Sequence, residues 1–598
     1  MKIILHLAIF ACSAFVAAAE MYLSPVDLDV LGESRLFVTC GTGKRLLEMD
    51  AESLEVTRQI DFPAELTATA ISADGSTFYV TGGVADGKVF IVDAASWKIT
   101  HTIAAGHSPM APVLSADGAK LYVCNRFSNE VSVFDTRSRK LISQIPVGRE
   151  PVSADLSADG TILFVANHLP EGRADTDYTA AEISAIDLGR EEVATIPLVN
   201  GAGGLRGIKV SPDGKFVLAT HYVARFQVPL TQLERGWAST DAVSVIRVAD
   251  RALLHTVLLD DLMLDFPTPW ALDFSANGKK VIVSAAGSQE IGVVDFPKLI
   301  EKAEREAEAG RSMQVSNDLS FASGIRKRVT LKGNGPRSLL VSGRKAYVGG
   351  YFSDSVEVVE FSGDPGGEHR IQALTSGHTP DMARRGEMLF NDARLSLQQW
   401  MSCATCHPDG RSDALNWDRS YDGIGNPKNV KSVLNADRIA PTTWMGLLDD
   451  SHASVRSALR KTLFSAAPEE DARALDAYIA SLQPVPSPYL ENGEPSVSAR
   501  RGKLLFEELR CAGCHSGELF TDGNPEDVGT TGAGVDQDME VVTPALTELW
   551  RNAPYLHDGR AATVREIITT DSHADMKKRA GNLEETQIDD LTEYLLSL

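Results

Sequence analysis

The sequence predicts a multidomain protein, in which an all-β seven-bladed propeller is followed by two mainly α-helical domains in tandem. Three observations lead to this prediction. Residues 20–365 repeat with a period of about 42 residues, residues 377–598 contain one segment twice, and each copy of that segment carries a Cys-x-x-Cys-His pentad. The chain of 598 residues also exceeds the about 250–300 residues at which single cores usually stop growing, so several domains are expected.

Composition and charge narrow the class of protein. The chain is 43% hydrophobic and 23% charged, which is typical of a soluble globular protein. Its formal net charge of −23 argues against a nucleic acid or an anionic membrane surface as a partner. Lys2, an apolar run over Ile3–Val16 and the small residues Ala17–Ala19 predict a cleaved signal peptide over residues 1–19. No later run is long enough for a membrane span, so we expect a periplasmic or otherwise exported protein.

The propeller prediction depends on a recurring turn. Ser-x-Asp/Asn-Gly turns separate short runs of alternating β-branched and aromatic residues such as Val131–Phe134. Such turns support the left-handed backbone of tight hairpins, and four strands in about 42 residues describe one blade. The turns begin at Ser72, Ser115, Ser157, Ser211 and Ser275, with degenerate counterparts at Gly32–Ser34 and Ser342–Arg344. The motif spacing resembles the YVTN-type β-propeller repeat family over residues 20–365. Residues 296–310 are predicted to be a charged helical surface insertion, and residues 366–376 a linker.

The C-terminal part is an internal duplication. Ala383–Phe390 returns as Ala499–Phe506, and Ala474–Leu482 returns as Asp590–Leu598, in both cases 116 residues later. Each copy therefore has an opening helix, a pentad, an irregular loop region and a closing amphipathic helix. The proline-rich stretch Gln483–Pro488 joins them. These features predict two domains of about 100 residues each, over residues 377–484 and 485–598.

Each pentad supplies the groups that attach one haem. Two thiols bind the vinyl groups of the haem, and the adjacent imidazole becomes an axial ligand of the iron. The residues predicted to hold two covalently bound c-type haems are Cys403, Cys406 and His407 in the first domain and Cys511, Cys514 and His515 in the second. Cys40 and Cys124 lie in non-consecutive repeats, so we expect buried thiols there and no disulfide.

The segment after the second pentad carries a family resemblance. Residues 553–560 read Ala-Pro-Tyr-Leu-His-Asp-Gly-Arg, and with the pentads they resemble the bacterial di-haem cytochrome c peroxidase family and its methylamine-utilisation relatives. The resemblance implies that the second haem takes electrons from a small periplasmic redox protein, a cytochrome c or a cupredoxin. The first haem would then reduce hydrogen peroxide or another oxidant. It also implies that Trp444 lies between the haems, and that a calcium ion binds near Asn426.

The axial ligands opposite the pentads decide which iron is reactive. In the family a histidine follows the first pentad closely, but this sequence has none between His407 and His452. We therefore expect an open first haem, with Met445 and His452 as the remaining candidates if that iron is capped. For the second haem the candidates are His573 and Met576, and we favour His573.

Peroxide cleavage also needs a group that moves a proton. The family uses a glutamate beyond the tryptophan, and here the candidates for catalysis beside Trp444 are Asp450 and Glu469, with Asp449 and Glu470 next to them. Three functions stay open. The protein is a peroxidase, an oxidase that modifies a protein or organic substrate through a high-valent haem, or a non-catalytic electron relay with the propeller as a binding module.

Overall fold

The computed structural model describes residues 22–229, 238–361, 369–375, 379–419, 423–531, 539–569 and 573–598. The predicted signal peptide, residues 1–19, lies outside this part of the chain. Among the helices of the described residues, none has the length and apolar character needed to cross a membrane.

Seven antiparallel sheets form the N-terminal half. Within each of the first four sheets, the four strands are neighbours in sequence order. These strands are β1 Pro25–Leu31, β2 Arg35–Cys40, β3 Arg45–Asp50 and β4 Val56–Asp61; β5 Leu66–Ile71, β6 Thr77–Gly82, β7 Lys88–Asp93 and β8 Lys98–Ala104; β9 Pro109–Leu114, β10 Lys120–Asn125, β11 Glu130–Asp135 and β12 Lys140–Pro146; β13 Pro151–Leu156, β14 Ile162–Asn167, β15 Glu182–Asp187 and β16 Glu192–Pro197.

The remaining three sheets complete the ring. The fifth has an additional short strand, and the sixth and seventh again have four strands. The strands are β17 Ala202–Gly203, β18 Ile208–Val210, β19 Phe216–Ala224, β20 Ser239–Arg247 and β21 Ala252–Leu258; β22 Pro269–Phe274, β23 Lys280–Ala285, β24 Glu290–Asp295 and β25 Arg326–Thr330; β26 Pro336–Ser342, β27 Lys345–Gly350, β28 Ser355–Glu360 and β29 His369–Ala373. The inner strands β1, β5, β9, β13, β18, β22 and β26 contact one another in a closed cycle. The predicted seven-bladed propeller is confirmed.

The predicted turns shape the blades as expected. In the second blade the Ser72 hydroxyl donates to Asp74 Oδ1 at 2.6 Å, the Ser76 amide donates to the same oxygen at 3.0 Å, and Gly75 has a φ of +69°. Only glycine adopts this left-handed conformation without strain. The same serine-to-Asx hydrogen bond is made by Ser115, Ser157, Ser211 and Ser275. Cys40 and Cys124 are buried free thiols in different blades, as predicted.

The predicted linker and the predicted surface insertion of the propeller each differ from the structure in one respect. The segment predicted as a linker, residues 366–376, contains β29, which pairs with β28 and completes the seventh blade. Without this strand, β28 would leave an exposed edge of unpaired backbone groups. The predicted insertion is helical, with α1 at Phe296–Glu308 and α2 at Ser312–Val315. Its apolar face is not solvated, because Phe296, Leu299 and Ala303 pack into the core of the fifth and sixth blades.

The C-terminal half consists of two domains with the same order of elements. Opening and closing helices pack against each other in both domains, α3 on α6 and α7 on α10. The helices are α3 Met382–Phe390, α4 Cys403–Cys406, α5 Ser451–Ser457, α6 Glu469–Ser481, α7 Val497–Glu508, α8 Val564–Thr569, α9 Met576–Arg579 and α10 Glu585–Leu596, with short strands β30 Asn416–Trp417, β31 Lys428–Asn429, β32 Leu490–Glu491, β33 Glu494–Pro495, β34 Pro525–Glu526 and β35 Val541–Val542.

A glycine sets the close approach of each helix pair. A Cβ atom on Gly386 would lie 1.9 Å from the Ala474 carbonyl oxygen, and a Cβ atom on Gly502 would lie 1.9 Å from the Asp590 carbonyl oxygen. Both positions therefore need a residue without a side chain. The two glycines are 116 residues apart, so the duplication seen in the sequence is also a duplication of helix packing.

Both helical domains lie on one face of the propeller. Arg149, just before the inner strand of the fourth blade, donates hydrogen bonds to the carbonyl oxygens of Arg551 at 2.7 Å and Ala553 at 2.6 Å. His107, just before the inner strand of the third blade, hydrogen-bonds the Pro486 carbonyl at 2.9 Å. The starts of the inner strands surround the mouth of the central channel. The propeller therefore uses this mouth to hold its own C-terminal domains.

Candidate functional site

One cavity of about 760 Å³ joins the two pentads. Its wall contains Cys403 and His407 from the first domain, and Cys511, Cys514 and His515 from the second. Most of the remaining wall is apolar and comes from helices and loops of both domains. Five of the six predicted attachment residues thus border a single chamber at the domain junction, and the sixth, Cys406, is not part of its wall.

The first pentad is the less exposed of the two. Helix α4 begins after Ser402, whose backbone amide donates to the Thr405 hydroxyl at 3.2 Å, and Cys406 is only 4% exposed. Burial, with a contribution from Arg419, lowers the pKa of the His407 imidazole to about 3. The ring is therefore neutral and can use a nitrogen lone pair to bind a metal.

The second pentad is more open. Cys511 and Cys514 are both partly exposed, and they belong to a single turn of 3₁₀ helix and the residue that follows it. The His515 Nδ1–H group donates a hydrogen bond to the Phe520 carbonyl at 3.0 Å. This bond fixes the tautomer and leaves Nε2 for a metal, which is the usual arrangement of a ligand histidine. Burial lowers the pKa of His515 as well.

A second imidazole stands opposite His515. The ring centroids of His515 and His573 are 6.4 Å apart. Two imidazoles bound to opposite sides of one metal ion, with metal–nitrogen bonds of about 2 Å each, would have about this separation. Burial, and secondarily His515, lowers the pKa of His573 to about 4, so its ring is neutral. Met576 also borders the cavity, but it is 6% exposed and packs into the apolar core of the second domain.

The loops that precede these distal elements are copies of each other. Thr443 and Leu556 both have a φ of +71°, and Gly446 and Gly559 both have a φ of +63°. Each loop is closed by an isolated β-bridge, Thr442 to Leu448 in one and Tyr555 to Ala561 in the other. In every case the two positions are 113 residues apart. Trp444 in the first loop therefore corresponds to His557 in the second.

These loops also bind the opposite domain reciprocally. The Asn429 amide donates to the His557 carbonyl at 2.7 Å, and the Val542 amide donates to the Trp444 carbonyl at 2.8 Å. The Trp444 indole N–H donates to the Asn429 carbonyl at 2.6 Å. Trp444 thus lies on the cavity wall at the contact between the two domains, and both of its polar groups are bonded.

In the described part of the first domain, the segment that corresponds to the one around His573 presents no histidine to the cavity. The segment after its copied loop is α5, which continues into a π-helical turn over Ala458–Thr462. The side chains from this segment that reach the cavity are those of Ser451, Ser454, Val455, Ala458 and Leu459. None of these is a strong iron ligand.

The two capping candidates for the first haem differ in position. Met445 borders the cavity and is 8% exposed. His452 lies on the outer side of α5, where its Nδ1 is 2.8 Å from Asp476. The side chain of His452 is 62% exposed and is not part of the cavity wall. The structure therefore does not bring His452 to the haem site.

Neither predicted catalytic acid borders the cavity. Asp450 caps the N-terminus of α5, and its Oδ1 accepts a hydrogen bond from the Ala453 amide at 2.8 Å. Glu469 begins α6, is exposed, and pairs with Arg456 and Arg473. The ion pair with Arg456 lowers the pKa of Glu469. Both carboxylates are at helix N-termini, which anionic side chains favour for structural reasons. Both were predicted from their place after Trp444 in the sequence, and that place did not show whether their side chains reach the cavity.

The charged residues of the cavity wall are instead all cationic. Among the described lining residues none is Asp or Glu, and the cations are Arg419, Lys428, Lys431, Arg510 and Arg579. A haem carries two propionates, and a cationic wall suits such anions. The pentads and this charge therefore both fit two haems. Lys428 Nζ lies 3.4 Å from the Asn426 carbonyl, and this ammonium gives no support to the predicted calcium site.

A polar cluster ties the first pentad to the propeller. Asp409, two residues after His407, accepts hydrogen bonds from Arg126 at 2.7 Å and from Arg551 at 2.8 Å. Arg126 also binds Glu150 of the propeller at 2.7 Å. Although burial favours the neutral acid, Arg126 and Arg551 hold the pKa of Asp409 well below its usual range. Sequence reasoning missed this cluster, because its members come from three separate domains.

Comparisons with known proteins agree with this architecture. Residues 380–490 match the family model described as di-haem cytochrome c peroxidase, and residues 499–598 match the cytochrome c model. Hydrazine synthase subunit gamma of Kuenenia stuttgartiensis is 29% identical over 37% of this chain and 79% of its own length. Methylamine utilization protein MauG of Methylophilus methylotrophus is 28% identical over 33% of this chain and 73% of its own.

Further similarities concern a peroxidase and one solved structure. Cytochrome c551 peroxidase of Pseudomonas aeruginosa is 23% identical over 36% of this chain and 77% of its own. A chain of the Kuenenia stuttgartiensis hydrazine synthase structure is 23% identical, covers 59% of this chain and 100% of its own, and has a TM-score of 0.53, which indicates a likeness of fold. The matches and the closed ring of sheets identify a seven-bladed β-propeller, followed by a segment that matches the di-haem cytochrome c peroxidase family over residues 380–490 and by a cytochrome c domain over residues 499–598.

Proposed function

We propose that this protein is an exported di-haem c-type oxidoreductase, which reduces hydrogen peroxide with electrons from a small redox protein such as a cytochrome c or cupredoxin. The observation that carries the proposal is the difference between the two histidine sites. His573 stands opposite His515, whereas the corresponding segment of the first domain presents Ser454, Val455 and Ala458 to the cavity. Bound haems supply reversible iron oxidation, and only an iron with an open position binds peroxide.

The roles of the attachment residues follow from this difference. Cys403, Cys406 and His407 would hold the haem that reacts with peroxide, and Cys511, Cys514 and His515 would hold the haem that receives electrons. His573 would complete the second site, and Met576 is the alternative. Both cysteines of the second pentad are partly exposed, whereas Cys406 of the first is buried, and this difference supports electron entry at the second domain because a redox partner can approach that pentad more closely.

Trp444 is proposed to lie on the electron path between the two sites. It borders the common cavity, and its carbonyl and its indole N–H are bonded to Val542 and Asn429. These bonds restrict the ring to one orientation, and a fixed aromatic ring shortens the gap that an electron must cross. Its indole N–H donates to a backbone carbonyl, and a carbonyl oxygen cannot take up the indole proton.

Proton delivery to the first site is assigned to hydroxyl groups. Peroxide reduction to two water molecules consumes two electrons and two protons, and the described cavity wall has no carboxylate. The Thr442 and Ser454 hydroxyls lie 2.6 Å apart on that wall, and Thr442 also bonds the Asp450 carbonyl at 3.1 Å. Hydroxyls both donate and accept hydrogen bonds, so this pair can pass protons from bound water toward the peroxide.

A second candidate function is the oxidation of a protein or organic substrate. The observation in its favour is that MauG of Methylophilus methylotrophus is 28% identical to this chain, whereas cytochrome c551 peroxidase of Pseudomonas aeruginosa is 23% identical. Both functions need the same open first site. They differ in the final source of electrons, which is a redox protein for the peroxidase and the oxidised substrate for the alternative.

Peroxide turnover by the haem-loaded protein tests the proposal. Reduced cytochrome c or reduced cupredoxin is mixed with hydrogen peroxide, and oxidation of the donor is followed with wild type, His407→Gly and a surface control, Arg139→Ala. We expect fast saturable turnover in wild type and the control and its loss in His407→Gly. Donor oxidation no faster than with free haem would contradict the peroxidase function. If peroxide is nevertheless consumed, the substrate-oxidising alternative gains support.

A further inference from the structure

We propose that Trp417 is a redox-active residue of the first haem site, and that Asp413 accepts its indole proton. The inference rests on the proposed function, because the oxidant that acts on Trp417 is the first haem after it has reacted with hydrogen peroxide. Trp417 borders the cavity together with Cys403 and His407. Neither Trp417 nor Asp413 belongs to a pentad or to the loop that carries Trp444.

The geometry joins an oxidisable ring directly to a base. The Trp417 indole N–H donates to Asp413 Oδ2 at 2.8 Å, while Asp413 Oδ1 accepts from the Leu415 amide at 3.1 Å. Trp417 is 2% exposed and Asp413 is 0% exposed. A buried carboxylate without water around it is a strong proton acceptor, since burial disfavours its charged form. Burial indeed raises the pKa of Asp413 to about 7.

Trp444 has the opposite electrostatic environment. Its indole N–H donates to the Asn429 carbonyl, which cannot take the proton away. The Lys431 ammonium lies 5.0 Å from its ring centroid, and a cation over an aromatic face is attracted to an electron-rich ring. Removing an electron would turn that attraction into repulsion. Of the two tryptophans that border the first site, Trp417 is therefore the easier one to oxidise.

Two other aromatic residues nearby, Trp400 and Tyr222, lack a proton acceptor. In the described part of the chain, the buried indole nitrogen of Trp400 and the buried phenol oxygen of Tyr222 have no hydrogen-bond partner. Both residues belong to the same apolar cluster as Trp417. Loss of an electron from either ring would leave an uncompensated positive charge in an apolar environment, which is costly. Trp417 is thus favoured over both of these rings as the place where the oxidising equivalent resides.

The proposed step balances as a coupled transfer of one electron and one proton. Trp417 loses an electron to the oxidised first haem, and its Nε1–H proton moves to Asp413 Oδ2. The products are a neutral indolyl radical and a protonated Asp413. The next electron that arrives from the second haem reduces the radical, and the proton returns from Asp413 to Nε1. The pair would hold one of the two oxidising equivalents of peroxide until that electron is delivered.

Freeze-quench electron paramagnetic resonance of the full-length haem-loaded protein tests this. The protein is mixed with one equivalent of hydrogen peroxide and compared with Trp417→Phe, Asp413→Asn, Trp444→Phe and Trp400→Phe. We expect an organic radical in wild type whose signal narrows when the tryptophans are ring-deuterated. It should disappear in Trp417→Phe, weaken severalfold in Asp413→Asn and persist in the other two variants. The Asp413→Asn variant keeps a hydrogen-bond acceptor that cannot hold the proton, so it separates proton transfer from packing.

Peptide mass spectrometry gives a readout independent of turnover. Repeated peroxide addition without an electron donor should add oxygen to Trp417 and leave Trp400 unmodified, and Asp413→Asn should reduce this modification. A radical that survives in Trp417→Phe, or that Trp400→Phe removes equally, would overturn the inference. So would a wild-type haem spectrum that changes with peroxide while no tryptophan radical forms. A haem spectrum that peroxide leaves unchanged would instead overturn the proposed function, and this inference with it.

Discussion

The two helical domains of the C-terminal half have one backbone plan and two different histidine sites. Their opening and closing helices meet through equivalent glycines, and their cavity loops share backbone angles at equivalent positions. The second domain places His573 opposite His515, while the first places only apolar and hydroxyl side chains there. The first pentad is also the less exposed of the two, since its Cys406 is buried whereas Cys511 and Cys514 are both partly exposed. A shared scaffold therefore positions both pentads, and we propose that a few side chains decide whether each iron reacts or relays electrons.

Making the first site resemble the second should have the largest effect on function. Ala458→His introduces an imidazole on the cavity wall. Ala458 lies in the part of the first domain that corresponds to the residues just before His573 in the second. We expect a six-coordinate first haem and a loss of peroxide turnover of about two orders of magnitude, because the added imidazole occupies the position that peroxide needs. Since each 1.36 kcal/mol changes a rate about tenfold, this loss corresponds to about 2.7 kcal/mol in the barrier. Stopped-flow mixing with peroxide measures the change.

Arg473→His is the matched control, because Arg473 is exposed on α6 and is not part of the cavity wall. Its turnover should equal that of wild type. Full turnover in Ala458→His, with its absorption spectrum showing a newly bound imidazole, would contradict the requirement for an open position.

The contact between the domains offers a comparison of two ion pairs. Arg411 binds Glu548 at 2.6 Å with side chains that are 5% and 1% exposed, whereas Arg438 binds Glu518 at 2.6 Å with side chains that are 46% and 80% exposed. Glu548→Ala should lower the free energy of unfolding by about 3–5 kcal/mol, because it leaves a buried charge unpaired. Glu518→Ala should lower it by less than about 1 kcal/mol. Urea denaturation of the holo-proteins checks both values, and equal losses would show that burial does not distinguish the pairs.

The helix-packing glycines test whether the two copies are equivalent. Gly386→Ala and Gly502→Ala each force a methyl group against a backbone carbonyl oxygen. Each should destabilise its domain by about 1–3 kcal/mol, the usual cost of overpacking. Gly513→Ala is the control, because nothing lies within 4 Å of its Cβ position and the first pentad already has Thr405 there. Thermal unfolding followed by haem absorbance would refute the equivalence if only one of the two packing variants lost stability.

The smallest effect is expected at His452, which differs from His573 in its environment. The hydrogen bond and charge of Asp476 raise the pKa of His452, whereas burial lowers that of His573. Since the folded state favours protonated His452, its contribution to stability is fully present below the unfolded pKa, about 6.5. It is lost as the pH rises through the higher folded-state pKa.

His452→Ala should therefore flatten the stability profile slightly, between the unfolded and the folded-state pKa of His452, and leave turnover and haem spectra unchanged. The effect should stay below about 1 kcal/mol, because the side chain is mostly exposed and solvent screens the pair. Urea unfolding at several pH values measures it. A changed haem spectrum in this variant would show that His452 reaches the iron.

The sequence predicted those features that repeat or that have fixed spacing. The Ser-x-Asp-Gly turns, the duplicated helices and the pentads each depend on residues close together in the chain, so the propeller and the tandem domains could be predicted. The predicted C-terminal end of the propeller was wrong. Its last strand, β29, is polar, lies on the outer edge of its blade and has little hydrophobic pattern that could reveal it.

The site was predicted less completely, because its wall is built from distant segments. Asp450 and Glu469 lie close to Trp444 in sequence but point away from the cavity, where they cap or begin helices. Some residues can be recognised as part of the site only because the fold buries them beside the pentads. These are the cations Lys431 and Arg579 and the Asp413–Trp417 pair. Spacing in the chain carries no information about that enclosure.

Electron paramagnetic resonance of the oxidised holo-protein tests the difference between the two sites most directly. Wild type should give one high-spin and one low-spin ferric haem. His573→Ala should convert the low-spin signal into a second high-spin signal, and Met576→Ala should leave both signals in place. Two low-spin haems in wild type, or a conversion caused by Met576→Ala and not by His573→Ala, would contradict the assignment of an open first iron and a histidine-capped second iron.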